Sequence, residues 1–290
     1  MTSPLISVSQ LRADLAGPTP PAILDASLVL HHPEFDGDYR RDNGHPRWLA
    51  GHIPGSQHVD VSTQFSDPSS TLHYTHPEPQ AIADELARIG VGHETPVVVY
   101  DTTGTLWAAR LWYLLRWIGV DVRVLDGGYD AWLAAGAPVA TSDDTAPVAV
   151  ESWEARTSFN PWVDKAELAR RSADDGTPLV CGLPAGSFSG ASPTRYSRRG
   201  RIPGSVNVSS RDLFNGDGTV VDDAEIVASY QAAGVSVAPK APEILLYCGG
   251  GISAAGNALT LAQIGVTAVR IYDGSLEEWS ADSSLTLVVD

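Results

Sequence analysis

The sequence contains the same three short motifs twice, in the same order, and this repetition restricts the possible folds more than any other feature. The paired segments are 50–59 with 199–208, 96–105 with 243–252, and 124–132 with 271–279. Tyr100 and Tyr247, which end the middle pair of apolar runs, lie 147 positions apart. A repeat of about 150 residues has the size of a domain and is too long for a solenoid unit. The sequence therefore predicts a duplicated domain.

The boundary between the two copies is predicted from composition. Residues 138–150 read PVATSDDTAPVAV, and such Pro, Ser, Thr and Asp content is typical of a linker. We expect a first domain over 1–140, a linker over 141–158 and a second domain over 159–290. A helix is expected to begin at Phe159, as one does near Ser7 in the first copy.

Within each copy, short aliphatic runs alternate with helical patterns. The predicted strands are 22–25, 97–100, 122–125, 179–181, 244–247 and 268–272, and the clearest predicted helices are 79–89 and 254–264. Strands separated by helices predict the α/β class, with a mainly parallel sheet in each domain flanked by helices on both faces. Ligands of such sheets bind beyond the carboxyl ends of the strands. The residues after Tyr100 and Tyr247 are therefore the first places to look for chemistry.

Charge and composition exclude several classes of partner. The chain has 19 Lys and Arg against 35 Asp and Glu, a net charge of −16, which disfavours binding to nucleic acid or to an anionic membrane. No apolar stretch is long enough to cross a membrane, and the first residues do not resemble a signal peptide. Two cysteines are too few for a secreted disulfide scaffold. We expect a cytoplasmic protein.

The second copy places a cysteine directly after its buried strand. Cys248 is followed by three glycines and a predicted helix, an arrangement in which backbone N–H groups can form an anion-binding nest. Such a nest favours the thiolate, which is a nucleophile, over the thiol. The alternative is a buried core cysteine beside a tight turn. The first copy has Asp101 at the corresponding position, and a carboxylate cannot act as a sulfur nucleophile.

The HIPGS and RIPGS segments, the strand–Cys–glycine loop–helix and the DGG…W and DGS…W segments together resemble the tandem-domain rhodanese family of sulfurtransferases. The resemblance covers nearly the whole chain. It implies two rhodanese-like domains, of which only the second is catalytic, with Cys248 carrying a persulfide. The donor would be a small anion, thiosulfate or 3-mercaptopyruvate, and the acceptor a thiophile such as cyanide or a thiol. The resemblance implies no cofactor and no metal. The backbone expected to stabilise the persulfide belongs to Gly249, Gly250, Gly251, Ile252 and Ser253.

The loop bears on the choice of donor. Its sequence, CGGGISA, is uncharged and similar to the CGSGVTA of family members that use 3-mercaptopyruvate, whereas thiosulfate users tend to carry basic residues there. The Ser of that pattern is Gly250 here. In the family that hydroxyl is associated with a His of the HIPG block, the position of His52, so we expect His52 to line the cleft. The choice between thiosulfate and 3-mercaptopyruvate remains open.

A group of arginines precedes the second RIPG motif. Arg195, Arg198, Arg199 and Arg201 lie close together in an otherwise acidic chain. Arginine suits bidentate carboxylate binding, so we expect Arg195, with Arg198 or Arg199, to bind the donor. The alternative is an exposed loop of solvated side chains. Where the family usually carries an earlier Arg, this chain has Ser187.

The other cysteine also departs from the family pattern. Cys181 stands where the family usually has an Asp, at the end of a strand expected to neighbour the Cys248 strand. It is either a small core residue or a redox partner of Cys248, and a disulfide requires Cα atoms within about 7 Å.

Two other functions compete with sulfur transfer. A cysteine phosphatase needs an Arg six positions after its Cys, where this chain has Ala254. A rhodanese-like binding or regulatory protein that is catalytically impaired stays open. His73 and His76 form an H-x-x-H pair outside any helical pattern, so no metal site is predicted.

Overall fold

The structure, a computed structural model, describes residues 3–141, 147–171, 176–238 and 241–290. Within these ranges each half of the chain builds its own five-stranded sheet with helices around it. The strands of the first half are β1 (Leu5–Ile6), β2 (Ala22–Asp25), β3 (Leu28–Leu30), β4 (Arg41–Asn43), β5 (Ser56–His58), β6 (Val97–Tyr100) and β7 (Val122–Leu125). Its helices are α1 (Val8–Leu15), α2 (His45–Ala50), α3 (Pro79–Arg88), α4 (Leu106–Trp117) and α5 (Gly128–Ala134).

The second half repeats this plan. Its strands are β8 (Trp162–Val163), β9 (Leu179–Cys181), β10 (Val206–Asn207), β11 (Ile244–Tyr247) and β12 (Val269–Tyr272). Its helices are α6 (Lys165–Arg170), α7 (Ala185–Ser189), α8 (Asp223–Ala232), α9 (Ile252–Gln263) and α10 (Ser275–Ala281), with a short 3₁₀ helix at Ser210–Leu213. Among the helices described, none combines the length and apolar character needed to cross a bilayer.

The two sheets have the same strand order. The first runs β1-β7-β6-β2-β5 and the second β8-β12-β11-β9-β10, and all neighbouring strands are parallel. Strands β3 and β4 form a separate antiparallel ribbon in the first half. The duplication in the sequence is therefore a duplication of topology, and the predicted fold class is confirmed.

Alternating side chains cover both faces of each sheet. In β6, Val97 and Val99 enter the central core, while Val98 and Tyr100 pack on the opposite face against α1 and α5. Strand β11 alternates in the same way. Because successive side chains of a strand point to opposite faces, a fully apolar strand indicates a sheet buried on both sides.

The central core is shared by the two halves. It contains most of α4 from the first half and of α9 from the second, which pack directly on each other. Gly256 of α9 allows this close approach, since a Cβ there would lie 2.7 Å from Cδ2 of Leu106. The two halves thus share one continuous apolar interior. The elements that meet there are α4 and α9, the helices that follow the central strands β6 and β11.

One buried ion pair crosses between the halves. Arg110 of α4 is fully buried and donates from Nη1 to Oδ1 of Asp273 at 2.7 Å and from Nη2 to Oδ2 at 3.2 Å. The same Nη2 donates to the carbonyl of Tyr74 at 2.6 Å, and the backbone N–H of His76 donates to Asp273 at 2.7 Å. Removing two charges from water is costly, so each must be paired and hydrogen-bonded. Both Nη atoms of Arg110 and both carboxylate oxygens of Asp273 meet this requirement, whereas Nε of Arg110 has no partner among the described residues.

The predicted linker lies along the first half. Residues 147–158 form neither helix nor strand; Val150 donates to the carbonyl of Ala87 at 2.9 Å and Arg156 to that of Ile118 at 3.2 Å. Residues 142–146 of the predicted linker fall outside the described residues. The domain limits at 140 and 159 stay predictions.

Most predicted elements agree with the structure. The strands predicted over 22–25, 97–100, 122–125, 179–181 and 244–247 are confirmed, and the strand predicted over 268–272 begins one residue later. The helix expected from Phe159 is wrong in its start. Trp162 and Val163 instead form edge strand β8 beside β12, and the helix begins at Lys165. A two-residue edge strand is too short to show a periodic pattern.

We expect Asp273→Asn to lower the free energy of unfolding by about 3 kcal/mol, because it leaves the buried guanidinium of Arg110 without its counter-charge. The measurement is urea denaturation. The matched control is Asp14→Asn, which breaks the part-exposed Asp14–Arg123 pair and should cost less than about 1 kcal/mol. Equal losses in the two variants would show that the buried pair does not stabilise the contact between the halves.

Candidate active site

Cys248 is the first residue after strand β11, at the carboxyl edge of the second sheet. Its side chain lines a cleft of about 430 Å³ whose walls come from both halves. The start of α10 holds its backbone in place: Ser275 Oγ accepts the N–H of Cys248 at 3.1 Å, and Leu276 N–H donates to its carbonyl at 3.1 Å. The cysteine is thus fixed at a cleft where a parallel sheet is expected to bind ligands.

The loop after Cys248 presents unsatisfied N–H groups. Within the described parts of the chain, the N–H groups of residues 249–254 have no acceptor; that of Ala255 donates to the carbonyl of Gly251 at 3.2 Å. Gly251 caps α9, a helix of 12 residues. The open N–H groups and the positive end of the helix dipole together form an anion site next to the Cys248 side chain.

In the first half, the corresponding loop after β6 binds a carboxylate. The carboxylate of Asp101, which is 2% exposed, accepts four backbone N–H groups at the start of α4. Oδ1 accepts from Thr103 at 2.8 Å and from Thr105 at 2.9 Å. Oδ2 accepts from Trp107 at 3.0 Å and from Ala108 at 2.9 Å. An anion therefore occupies the nest of the first copy, and it is part of the chain itself.

The corresponding nest in the second copy holds no anion from the chain. Helix α4 begins at Leu106 and α9 at Ile252, each after a capping residue with positive φ, so Thr105, Trp107 and Ala108 correspond to Gly251, Ser253 and Ala254, whose N–H groups are among the unsatisfied ones. Because Cys replaces Asp at the first position, the nest is available to a charge carried on sulfur.

Each glycine of the loop meets a different environment. At Gly249 the hydroxyl of Tyr196 takes the place that a Cβ would need. At Gly251, where φ is +80°, a Cβ would lie 2.5 Å from Asp273 Oδ1 and 2.8 Å from Arg110 Nη1. At Gly250 the nearest atom to a Cβ would be 3.6 Å away. Two glycines are therefore required by their neighbours, and the third is free to vary.

The walls of the cleft combine apolar and aromatic side chains with several hydroxyl groups and carry no acid among the described residues. The first half contributes Tyr39, Tyr74 and Trp107, and the second half contributes Tyr196 and Leu276. The arginines that line the cleft are Arg195 and Arg211. In a chain with 35 acidic residues, a lining with two arginines and no acid favours an anionic ligand.

Of the predicted arginines, Arg195 lies at the cleft. Its Nη2 donates to the carbonyl of His31 in the first half, while its buried Nε has no partner among the described residues. A buried guanidinium N–H without an acceptor is costly. Arg195 therefore has a donor free for a ligand.

The structure does not bring Arg198 or Arg199 to the cleft, contrary to expectation. Arg198 donates to the carbonyls of Ser280, Asp282 and Leu285. These hydrogen bonds hold the end of α10 and the segment after it against the loop that contains Arg198. Arg199 pairs with Asp36 at the surface, at 2.9 Å. Both guanidinium groups are already used in holding loops together, which a local cluster of arginines in the sequence cannot reveal.

The expectation for His52 is also wrong, since its side chain does not line the cleft. It is 1% exposed, stacks on Trp48 with ring centroids 3.9 Å apart, and its Nδ1 lies 2.8 Å from the Trp48 carbonyl. The backbone of His52 forms an antiparallel β-bridge with Ala140. Arg201, at the same position of the second motif, forms the equivalent bridge with Val288. The motif histidine therefore stabilises the first half internally.

A different histidine stands beside the loop. Nδ1 of His73 lies 2.6 Å from Oε1 of Glu277, and the backbone N–H of His73 donates to Oε2 at 3.1 Å. The ring stacks on Tyr39 at 3.9 Å, and Glu277 Oε2 would be 3.7 Å from a Cβ at Gly250. Sequence reasoning considered His73 only as a metal ligand. Within the described ranges, no group of three or more His, Cys, Asp and Glu side chains is arranged to hold a metal.

The two cysteines do not meet. Cys181 is paired in register with Tyr247, the residue before Cys248. Because side chains alternate along a strand, Cys181 packs with Tyr247 in the outer core, whereas Cys248 faces the central core. Both thiols are free, and burial raises the pKa of the Cys181 thiol to about 12. The redox-partner expectation is therefore not supported, and Cys181 is a core residue.

Comparison with known proteins agrees with the fold. The sequence profile of the rhodanese-like domain matches residues 7–135 and 190–282. The chain is 31% identical to the 3-mercaptopyruvate sulfurtransferase of Escherichia coli K12 over 243 residues, 82% of this chain and 83% of that protein. It is 30% identical to thiosulfate/3-mercaptopyruvate sulfurtransferase 2 of Arabidopsis thaliana over 307 residues, 98% of this chain and 86% of that protein. The crystal structure of SseA from Escherichia coli, described as a 3-mercaptopyruvate sulfotransferase with the rhodanese fold, covers 94% of this chain and 99% of its own at a TM-score of 0.77 and 28% identity.

The loop glycines give a graded prediction. Gly250→Ala should change the free energy of unfolding by less than about 0.5 kcal/mol, because a methyl group fits there. Gly251→Ala combines a left-handed φ with close contacts and should cost about 1–3 kcal/mol, and Gly249→Ala should also destabilise because it displaces Tyr196. Chemical denaturation of the three variants tests this order; similar losses at all three positions would contradict it.

The two thiols should differ in reactivity. At pH 8 we expect iodoacetamide to modify Cys248 in the native protein and to leave Cys181 unmodified. A thiol whose pKa is raised to about 12 stays protonated at that pH, and the thiolate is the reactive form. Peptide mass spectrometry of native and urea-unfolded protein measures this, with both cysteines modified in the unfolded control. Rapid modification of Cys181 in the native protein would contradict the assignment.

Proposed function

The chain belongs to the rhodanese-like family, and we propose that it is a sulfurtransferase whose Cys248 carries the transferred sulfur as a persulfide. The observation that carries this proposal is the open N–H nest around Cys248, set against the first copy, where the carboxylate of Asp101 fills the same nest. A rhodanese-like protein with only a binding or regulatory role would not require an unoccupied anion site beside a cysteine at the cleft.

The first half-reaction forms a sulfur–sulfur bond at Cys248. The thiolate attacks the outer sulfur of thiosulfate, and sulfite leaves with the electron pair of the broken S–S bond. With 3-mercaptopyruvate it attacks the thiol sulfur, the C–S bond breaks, and the pyruvate enolate that leaves takes up a proton. In either case the enzyme is left as the Cys248 persulfide.

The second half-reaction returns the enzyme to its thiolate. A thiophile such as cyanide or a thiol attacks the outer sulfur of the persulfide, and the Cys248 thiolate leaves. The negative charge on sulfur at each stage is stabilised by the N–H groups of Gly251, Ser253 and Ala254 and by the α9 dipole. Since these groups are held by the fold, they need no rearrangement during the reaction.

We propose 3-mercaptopyruvate as the better donor. Its single carboxylate suits Arg195, a residue of the cleft wall whose Nε has no partner among the described residues. The loop from Cys248 to Ser253 carries no cation that could balance the second charge of thiosulfate. Relatives are named for 3-mercaptopyruvate and for both donors. Because a persulfide enzyme needs a free thiol, we further propose that the protein works in a reducing compartment such as the cytoplasm.

The test is a sulfur-transfer assay with each donor and cyanide as acceptor. The wild-type protein should turn over 3-mercaptopyruvate faster than thiosulfate and, after donor alone, should gain the mass of one sulfur atom. Cys248→Ala should abolish both signals, because no other thiol reaches the cleft, while Cys181→Ala should retain them. Absence of transfer from both donors in folded wild-type protein would overturn the proposal in favour of a binding or regulatory role.

A further inference from the structure

The cleft holds a second arginine that the sequence analysis did not identify. We propose that Arg211 is a donor-binding residue that, together with Arg195, sets the affinity for the carboxylate of the sulfur donor. This inference rests on the sulfurtransferase function proposed above and adds a specificity residue to it. Arg211 and Cys248 line the same cleft, as does Ser253 at the first turn of α9.

The backbone that carries Arg211 is well fixed. The residue lies in the 3₁₀ helix that follows β10, between two buried neighbours, Ser210 and Leu213, both 0% exposed. The N–H of Ser210 donates to the carbonyl of Gly182 at 2.9 Å, directly after β9, and Val221 donates to the carbonyl of Leu213 at 3.1 Å. The side chain of Arg211 is exposed. A cation on an anchored turn can meet a ligand with little loss of backbone entropy.

The charge of Arg211 is not used elsewhere in the described structure. The side chains of Arg198, Arg199 and Arg110 are all hydrogen-bonded to carbonyls or carboxylates, whereas the side chain of Arg211 has neither a hydrogen bond nor an ion pair to any described residue. Asp217 borders a neighbouring pocket together with Arg211, but its carboxylate accepts from Thr219 instead. The guanidinium of Arg211 therefore keeps all its donors for a ligand.

The electrostatics of the chain explain why a second cation matters. A net charge of −16 repels an anionic donor, and the cleft is the place where this repulsion must be reversed. Its described lining has no acid and carries Arg195 on a loop and Arg211 on the 3₁₀ helix. Ser187, which stands where the resemblance leads one to expect an arginine, also lines this cleft. Arg211 supplies from the 3₁₀ helix the positive charge that Ser187 lacks.

The proposal predicts an effect on binding rather than on the chemical step. Arg211→Gln should raise the KM for 3-mercaptopyruvate about tenfold, equal to about 1.4 kcal/mol. It should change kcat by less than about twofold, because the lost interaction stabilises the bound substrate and the transition state equally. Arg211→Lys should restore part of the affinity, and the difference from wild type should shrink with added salt. The matched control is Arg12→Gln on α1, an exposed arginine away from the cleft.

Donor binding without turnover separates this inference from the proposed function. Calorimetric titration of 3-mercaptopyruvate into Cys248→Ala should give an affinity that falls about tenfold in Cys248→Ala/Arg211→Gln and is unchanged in Cys248→Ala/Arg12→Gln. Equal affinities in all three proteins, or no binding in any of them, would overturn the role of Arg211. If the wild-type protein transfers no sulfur while this binding pattern holds, the proposed function fails and the anion site remains.

Discussion

The buried ion pair between Arg110 and Asp273 is the interaction on which the site depends. It joins the central helix of the first half to the residue that follows the β12 strand of the second, and both charges also bind the segment around Tyr74 and His76. Gly251 packs directly on the pair. One interaction therefore sets how the halves meet, which residues form the far wall of the cleft, and how closely the Cys248 loop can approach that wall. Because a buried charge cannot be left unpaired, this arrangement has few alternatives.

Duplication produced two anion nests with different occupants. In the first half the nest is closed by the carboxylate of Asp101, which satisfies the N–H groups at the start of α4 and so stabilises that half permanently. In the second half Cys248 has no charged oxygen to offer, and the N–H groups stay open. The replacement of Asp by Cys at the first position of the loop thus separates a structural helix cap from a site that can hold a reacting sulfur.

Local features were predictable and long-range ones were not. The strand ending at Tyr247, the position of Cys248 after it and the glycine loop follow from runs of neighbouring residues, and the structure agrees with them. His52 and Arg198 have residue types that fit an active site, yet their hydrogen bonds are made inside the fold. Arg211 gave no local signal of its place at the cleft, which depends on how the 3₁₀ helix packs on distant segments. The His73–Glu277 pair beside the Cys248 loop gave none either, because its two residues lie far apart in the chain.

The duplicated α/β topology, the loss of a nucleophile from the first copy and the cysteine of the second all follow from the amino-acid sequence, since aliphatic periodicity, glycine content and residue identity act over short stretches of chain. Which charged groups remain free depends instead on tertiary packing. Arg195 faces the cleft while Arg199 pairs with Asp36, and Cys181 faces away from Cys248 although their strands are neighbours. The physical reason is that burial, pairing and the face of a sheet depend on packing between distant segments, so similar side chains a few residues apart come to have different chemistry.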